Sequence, residues 1–226
     1  MRTSKSIIVI AILLLWAAST SEQEQNQSAD VRNRLANGVT LSQVTIVNAT
    51  TSIFHAARVP GGIATKSICA PLPTFDLTPT SNKLGDLLDA ITTADPTYRW
   101  SIYNNVPNLT QFGSEETLLD VVIPNIKLEG EQTEDSVVNI ILKSAEVQKA
   151  LVSLQLKAGT REIGLRALER PGSPKLDDRQ FDIHLHDVTV RTVLNAIARQ
   201  HGTAVWRYVE ARCNNSHEFS LSFLVW

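Results

Sequence analysis

The sequence predicts an α+β fold of repeated strand-helix-strand modules, in which small sheets carry helices on one face. Short segments alternate between apolar and polar residues, as half-buried strands do. Between these segments, apolar residues recur with the spacing of one helical face. One such combination also occurs twice in the chain with matching apolar positions, which is typical of a duplicated supersecondary unit.

Met1 to Ser21 has the three parts of a secretory signal peptide. Arg2 and Lys5 give a positive start, and the apolar run Ile7–Ala18 is followed by small residues. The run is shorter than the roughly 20 residues that a membrane span needs. We therefore expect cleavage near Ser19–Ser21 and a periplasmic or secreted product that no longer has a membrane segment.

The remaining chain divides by composition into a leader and two modules. Residues 22–38 are polar and rich in Gln, Asn and Ser, which predicts a flexible leader. The first α+β module is predicted at 39–118, and Val39 to Phe54 is rich enough in β-branched residues to favour one or two strands. The second module is predicted at 119–226 with a helical insert, and a single continuous domain fits the same pattern.

An internal repeat is found when Phe75 is set over Phe181. Seven of the 26 positions up to Trp100 and Trp206 are identical without a gap, and the apolar positions keep their spacing, which favours duplication. The matched positions are Leu84, Leu87, Leu88, Ala90, Ile91 and Thr97 in the first copy and Val190, Val193, Leu194, Ala196, Ile197 and Thr203 in the second.

The same series of strands, helix and turn is predicted for each copy. The second copy is predicted to form a strand at Phe181, a helix that begins near Val190 and is stopped by Gly202, a strand at Ala204–Ala211, a turn at Asn214–Asn215 and a last strand. The first copy predicts a helix near Leu84–Thr92, a strand near Tyr98–Tyr103 and a turn at Asn104–Asn105.

A third, weaker copy is predicted between the other two. Ile126 to Leu128 is strand-like, and Thr133 is the expected N-cap of a helix that buries Val137 and Ile141. Instead of a strand containing a Trp, Ala145–Leu156 is predicted to continue as a second amphipathic helix.

The pattern Phe181-Asp-Ile, Val190-Arg-Thr-Val-Leu-Asn-Ala-Ile, His201-Gly202 and Val205-Trp206 resembles the short N-terminal domain of secretins and TonB-dependent receptors. That family is a small periplasmic β-α-β unit that mediates protein contacts. The resemblance implies an interaction module of a Gram-negative cell envelope, with an envelope or extracellular protein as partner. It covers about 30 residues of each copy.

Cys69 and Cys213 are the two cysteines of the chain. In an oxidising compartment a single pair is more often a disulfide than a metal site or a reactive thiol. We therefore predict a bridge that joins the early part of the mature chain to its last hairpin.

Four aromatic residues at matched repeat positions are predicted core anchors: Phe75, Trp100, Phe181 and Trp206. Strand aromatics fit a half-buried pleated surface, and the alternative is a stacking platform for a ligand.

His184 and His186 lie two residues apart on one strand face and are weak candidates for a metal site. Their equivalents in the first copy are Thr78 and Thr80, so the expected interpretation is a polar, solvated strand face.

Charge and motifs narrow the function classes. Without Arg2 and Lys5 the chain has 19 basic and 23 acidic residues, a net charge of −4, and no basic run, so we expect no nucleic-acid partner. No Walker loop, dinucleotide fingerprint or nucleophile elbow occurs, so no catalytic residue or cofactor is predicted. The expected function is a non-catalytic binding or adaptor protein. The alternatives are a structural subunit of a secretion or pilus-like assembly, and a metal-assisted hydrolase using His184 and His186.

Overall fold

The computed structural model describes residues 29–67, 71–111, 117–159, 180–213 and 216–226. Helices and several small sheets are mixed along this chain, so the predicted α+β class is confirmed. Within the described residues, no helix is both long enough and apolar enough to cross a membrane. The predicted signal peptide, Met1 to Ser21, lies outside the described residues.

The first unit has the order strand, helix, strand, strand, helix, strand, strand. Its elements are β1 (Leu41–Thr45), α1 (Ile46–Ala57), β2 (Gly61–Ser67), β3 (Thr74–Leu77), α2 (Leu84–Ala94), β4 (Tyr98–Tyr103) and β5 (Val106–Gln111). Asn104 and Asn105 form the turn between β4 and β5 with φ angles of 51° and 63°, the left-handed backbone that Asn tolerates.

Helix α1 corrects the prediction that Val39–Phe54 forms one or two strands. Only β1 is a strand, and a helix begins at Ile46 because the Thr45 hydroxyl caps it by accepting from the Asn48 backbone N–H at 3.3 Å. The β-branched composition favoured strands, but Ile46, Ile53 and Phe54 recur with helical spacing and are completely buried. Burial of that face outweighs the local preference.

The second unit repeats this order with its first helix divided in two. Its elements are β6 (Val122–Glu131), α3 (Glu134–Leu142), α4 (Ala145–Ser153), β7 (Lys157–Ala158), β8 (Gln180–Thr189), α5 (Val190–His201), β9 (Val205–Cys213) and β10 (Ser216–Leu224). A short 3₁₀ helix, Leu118–Asp120, precedes it. β6 pairs with β8 as β1 pairs with β3, so the weak third copy is the opening half of the second unit.

One six-stranded sheet joins the two units, in the order β4-β5-β2-β9-β10-β7. Each unit contributes three strands in the same relative order, an antiparallel hairpin followed by a parallel strand. The joint is the parallel pair β2 and β9, whose register runs from Gly61 opposite Val205 to Ser67 opposite Ala211. The two units therefore share one sheet.

The helices of the two units lie on opposite faces of this joined sheet. Ile63 and Val205 are buried in a core with α1 and α2, whereas their neighbours Ala64 and Trp206 are buried in a second core with α5. The strand order is the same in both units, but β9 runs parallel to β2 whereas its counterpart β4 runs antiparallel to β2. Every strand of the second unit therefore runs opposite to its counterpart, and the helices of the second unit cover the opposite face of the sheet. The expectation of helices on one face holds for each unit but not for the joined sheet.

Part of the expected leader is structured. Residues 29–33 are helical, and Leu35 forms an antiparallel bridge with Lys83 just before α2. The Arg32 guanidinium makes an ion pair of 2.8 Å with Asp89 of that helix. These contacts hold this segment beside α2, so flexibility is not a property of residues 29–38 as a whole.

Candidate functional site at the free edge of the sheet

The two repeat tryptophans make equivalent hydrogen bonds to the helices above them. Trp206 donates from Nε1 to Oδ1 of Asn195 at 2.7 Å, and Trp100 donates from Nε1 to Oδ1 of Asp89, also at 2.7 Å. In both units the acceptor lies eleven residues before the tryptophan. The two tryptophans therefore share the same side-chain contact at the same sequence separation.

Strand β4 forms an outer edge of the six-stranded sheet and, among the strands that the structure describes, pairs with β5 alone. Antiparallel neighbours alternate between hydrogen-bonded and non-hydrogen-bonded pairs. Ile102 lies opposite Pro107, which has no backbone N–H, so this is a non-hydrogen-bonded pair. By the same alternation, the backbone groups of Trp100 and Ile102 point away from β5 toward the free edge.

The equivalent edge in the second unit already holds a strand. β9 is the counterpart of β4, and β2 runs along it in parallel with Gly62 opposite Trp206 and Ala64 opposite Tyr208. Trp206 and Tyr208 correspond in the repeat to Trp100 and Ile102. The free edge of β4 therefore corresponds to the edge of β9, which pairs with a strand within this chain.

The accepted strand crosses the Trp206 indole at a glycine. A Cβ atom built on Gly62 would lie 2.1 Å from Cζ2 and 2.2 Å from Cε2 of Trp206, far inside van der Waals contact. A larger residue fits only if the indole moves. The hydrogen bond to Asn195 opposes such a movement, since it fixes one end of a completely buried ring.

At the free edge, Arg32 and Asp89 hold Trp100 in place. The Arg32 guanidinium carbon lies 4.5 Å from the centre of the indole, within cation–π range. Arg32 also bonds Oδ2 of Asp89, whose Oδ1 accepts from Trp100. In the second unit the comparable polar partner is Asn108, which donates to Asn195 Oδ1 at 3.1 Å.

The four predicted core anchors differ in burial between the units. Phe181 and Trp206 are 2% and 0% exposed, whereas Phe75 and Trp100 are only partly buried and pack against the first core. Trp206 is covered because β2 of the first unit pairs along β9, whereas β4 has no second neighbour among the described strands. Sequence spacing identified the pairs but could not distinguish their exposure.

The structure brings His184 together with two acidic residues but leaves His186 outside this group. His184 Nε2 lies 2.8 Å from Glu129 Oε1 and 3.4 Å from Asp182 Oδ1. Lys127 also bonds Glu129 at 2.8 Å, and this bond is the main cause of the lowered pKa of the Glu129 carboxyl. All three groups are exposed to solvent, and Lys127 already supplies a cationic partner for Glu129.

Glu129 was missed at the sequence level because it comes from another strand. It lies opposite Asp182 through the register of β6 with β8, as Lys127 lies opposite His184. No local pattern specifies which residue of one strand faces which residue of another, so this cluster could not be predicted from spacing.

A buried polar cluster joins β2, β9, β10 and the end of α4. Glu210 is 4% exposed, accepts from the Tyr208 hydroxyl at 3.0 Å, and bonds His217 at 2.7 Å. The second His217 nitrogen contacts the Leu154 carbonyl at 3.0 Å, and Lys66 lies 3.9 Å from Glu210. Burial, followed by the Glu210 charge, raises the pKa of Tyr208. The cluster satisfies a buried carboxylate and fastens the last hairpin to its neighbours.

Of the two cysteines, Cys213 ends β9 and is not a free thiol, whereas Cys69 lies outside the described residues. The last described pair of the joint is Ser67 opposite Ala211. In the sequence, Cys69 follows Ser67 by two residues and Cys213 follows Ala211 by two residues. The bridge stays a prediction, and the strand register is compatible with it.

These features together describe an α+β chain in which the outer edge of β4, unpaired among the described strands, lies beside a partly exposed tryptophan. Comparison of the chain with protein-family models, with curated proteins and with solved structures finds no match.

Proposed function

We propose that this chain is an exported, non-catalytic adaptor protein of the bacterial envelope that binds a partner protein through the free edge of β4. The observation that supports this most directly is the equivalence of β4 and β9. The β9 edge binds a seven-residue strand of the first unit over its full length, and β4 offers the same backbone groups at Trp100 and Ile102.

Strand addition is a recurring way for a domain to bind an extended peptide. Main-chain hydrogen bonds along the edge supply affinity, and contacts to alternate side chains supply specificity. Uncovered edges promote unwanted pairing, and proteins usually shorten, twist or charge them. β4 is six residues long and carries one charged residue, Arg99. An edge of this kind beside a fixed aromatic side chain suits a specific binding surface.

The resemblance to the short N-terminal domain of secretins and TonB-dependent receptors supports the same function, because that family mediates protein contacts in the periplasm. The predicted signal peptide agrees with an envelope location. The partner is therefore proposed to be an envelope or extracellular protein that presents an extended segment.

The test removes one backbone N–H donor that points away from β5, that of Ile102, without disturbing the pairing of β4 with β5. In Ile102→Pro the lost N–H points to the free edge, a position at which edge strands tolerate proline. The matched control, Ile102→Val, keeps the N–H and a β-branched side chain. Peptides selected from a random library against the mature native chain should bind native protein and Ile102→Val, and should lose at least about tenfold in affinity for Ile102→Pro.

Two outcomes decide against this function. Either the selection yields no binder, or the binders attach equally well to Ile102→Pro. Circular dichroism and a denaturation curve of each variant establish that the fold is intact, so that loss of binding reports on the edge alone.

A further inference from the structure

We propose that the free edge of β4 selects a strand that runs parallel to β4 and places a glycine opposite Trp100. This inference rests on the proposed function and specifies the kind of segment that the partner presents. It is drawn from the joint between the two units, where the chain contains an equivalent complex.

The first step is the direction of the bound strand. β2 lies parallel to β9, and β9 is the repeat counterpart of β4. The hydrogen-bonding groups of Trp100 and Ile102 have the same relation to β5 as those of Trp206 and Tyr208 have to β10. An edge with this alternation bonds a parallel strand through every second residue.

The second step is the requirement for glycine. Gly62 faces Trp206, and any Cβ at that position would overlap the indole at 2.1 Å from Cζ2. The overlap is with a rigid ring and not with the end of a flexible side chain. The accepted strand therefore passes Trp206 only because residue 62 lacks a side chain, a usual reason for glycine where backbone approaches another group closely.

The third step is that the Trp100 indole is held in the equivalent position. Its Nε1 bonds Asp89 at 2.7 Å, as Trp206 bonds Asn195, and Arg32 stacks at 4.5 Å while bonded to Asp89. These contacts orient the Trp100 indole through the same ring nitrogen that orients Trp206. The steric filter observed at Gly62 therefore recurs at the free edge.

The fourth step concerns the next outward position. Ala64 lies opposite Tyr208, the counterpart of Ile102, and is itself buried. A small residue two positions after the glycine is thus the second expected feature of the bound segment. Together these features describe a parallel strand of the form Gly-x-Ala, with a β-branched residue such as Ile63 between them.

The experiment uses two acetylated and amidated peptides and the mature native protein. The first copies residues 61–67, Gly-Gly-Ile-Ala-Thr-Lys-Ser, and the second has valine in place of its second glycine. Binding is followed by NMR through the backbone amides of Trp100 and Ile102, which detects weak association. We expect the glycine peptide to shift these two amides and to bind at least about tenfold more tightly than the valine peptide, as steric rejection predicts.

Trp100→Ala provides the matched variant, since removal of the ring should abolish the preference and let both peptides bind alike. Equal affinity of the two peptides for native protein would overturn the glycine requirement. So would library binders that depend on the Ile102 N–H but contain no glycine opposite Trp100, and in both cases the proposed function stands. Absence of any binder that is sensitive to Ile102→Pro would instead overturn the proposed function itself.

Discussion

The indole Nε1 of Trp206 donates to Oδ1 of Asn195 at 2.7 Å, and both side chains are buried. Asn195 also exchanges hydrogen bonds with Asn108 of the first unit. The contact therefore links β9 and α5 of the second unit to β5 of the first, the strand next to β2 in the joined sheet.

Trp206→Ala is expected to cost about 3 to 5 kcal/mol of unfolding free energy, the range for truncating a buried aromatic residue. The cavity would lie beneath α5, and Asn195 would lose one of its partners. Trp100→Ala should cost less because Trp100 is only partly buried. Denaturant titration measures both, and the slope should stay unchanged. Equal losses for the two variants, or a Trp206 variant with an unchanged midpoint, would show that this packing account is wrong.

The Tyr98 hydroxyl should make the protein sensitive to alkali. Tyr98 is 4% exposed, and burial together with the Asp95 charge raises its pKa from 10.0 to about 12. Because the folded pKa is raised, the unfolded chain loses this proton first. The contribution of this pKa difference to the free energy of unfolding is fully present below pH 10 and is lost as the pH rises from about 10 to about 12.

Tyr98→Phe is the control for this alkaline loss. The hydroxyl oxygen is buried without a hydrogen-bond partner in the described structure, so its removal should leave stability at pH 7 unchanged or raise it by about 1 kcal/mol. The variant should also lose less stability between pH 10 and 12. A decline in this range as steep as that of the native protein would assign the sensitivity to another group.

Local patterns predicted the parts of the fold that are local. The alternation from Phe181 and the helical spacing from Val190 gave β8 and α5, since each element buries one face of its own. Helix α1 was missed because its β-branched residues favour strands and only burial reveals its helical face. The β2 and β9 joint was missed because register between distant strands leaves no periodic trace. For the same reason the free edge of β4 could not be predicted.

His184→Gln together with His186→Gln is expected to leave unfolding free energy within about 1 kcal/mol of the native value, as is usual at exposed positions. The His184 ion pairs with Glu129 and Asp182 are solvent-exposed, where such pairs stabilise little. Elemental analysis of purified native protein should find no stoichiometric metal. A metal that is present in native protein and lost from the double variant would establish the site that we consider absent.

The mature protein is expected to begin after Ser19 or Ser21, from the small residues that follow the apolar run Ile7–Ala18. Intact-mass measurement on protein recovered from the periplasm or the medium tests this directly. Arg substitution of an apolar residue in the run, Leu14→Arg, should leave the precursor uncleaved in the cytoplasm. Exported protein that retains Met1 would contradict the prediction.

The disulfide between Cys69 and Cys213 is expected to stabilise the joint between β2 and β9. The described joint ends at Ser67 opposite Ala211, and each cysteine follows two residues later in the sequence. Neighbouring strands lie about 4.8 Å apart, within the Cα separation of about 4.4 to 6.8 Å that disulfides adopt. The bridge would close a loop of over a hundred residues, for which the chain-entropy model gives about 4 to 5 kcal/mol.

Non-reducing peptide mapping should recover the linked peptides, and Cys213→Ser should lower the melting temperature as much as reduction does. If native protein instead titrates with two thiols after denaturation under non-reducing conditions, the joint depends on strand pairing and the Gly62 to Trp206 contact without a covalent tie.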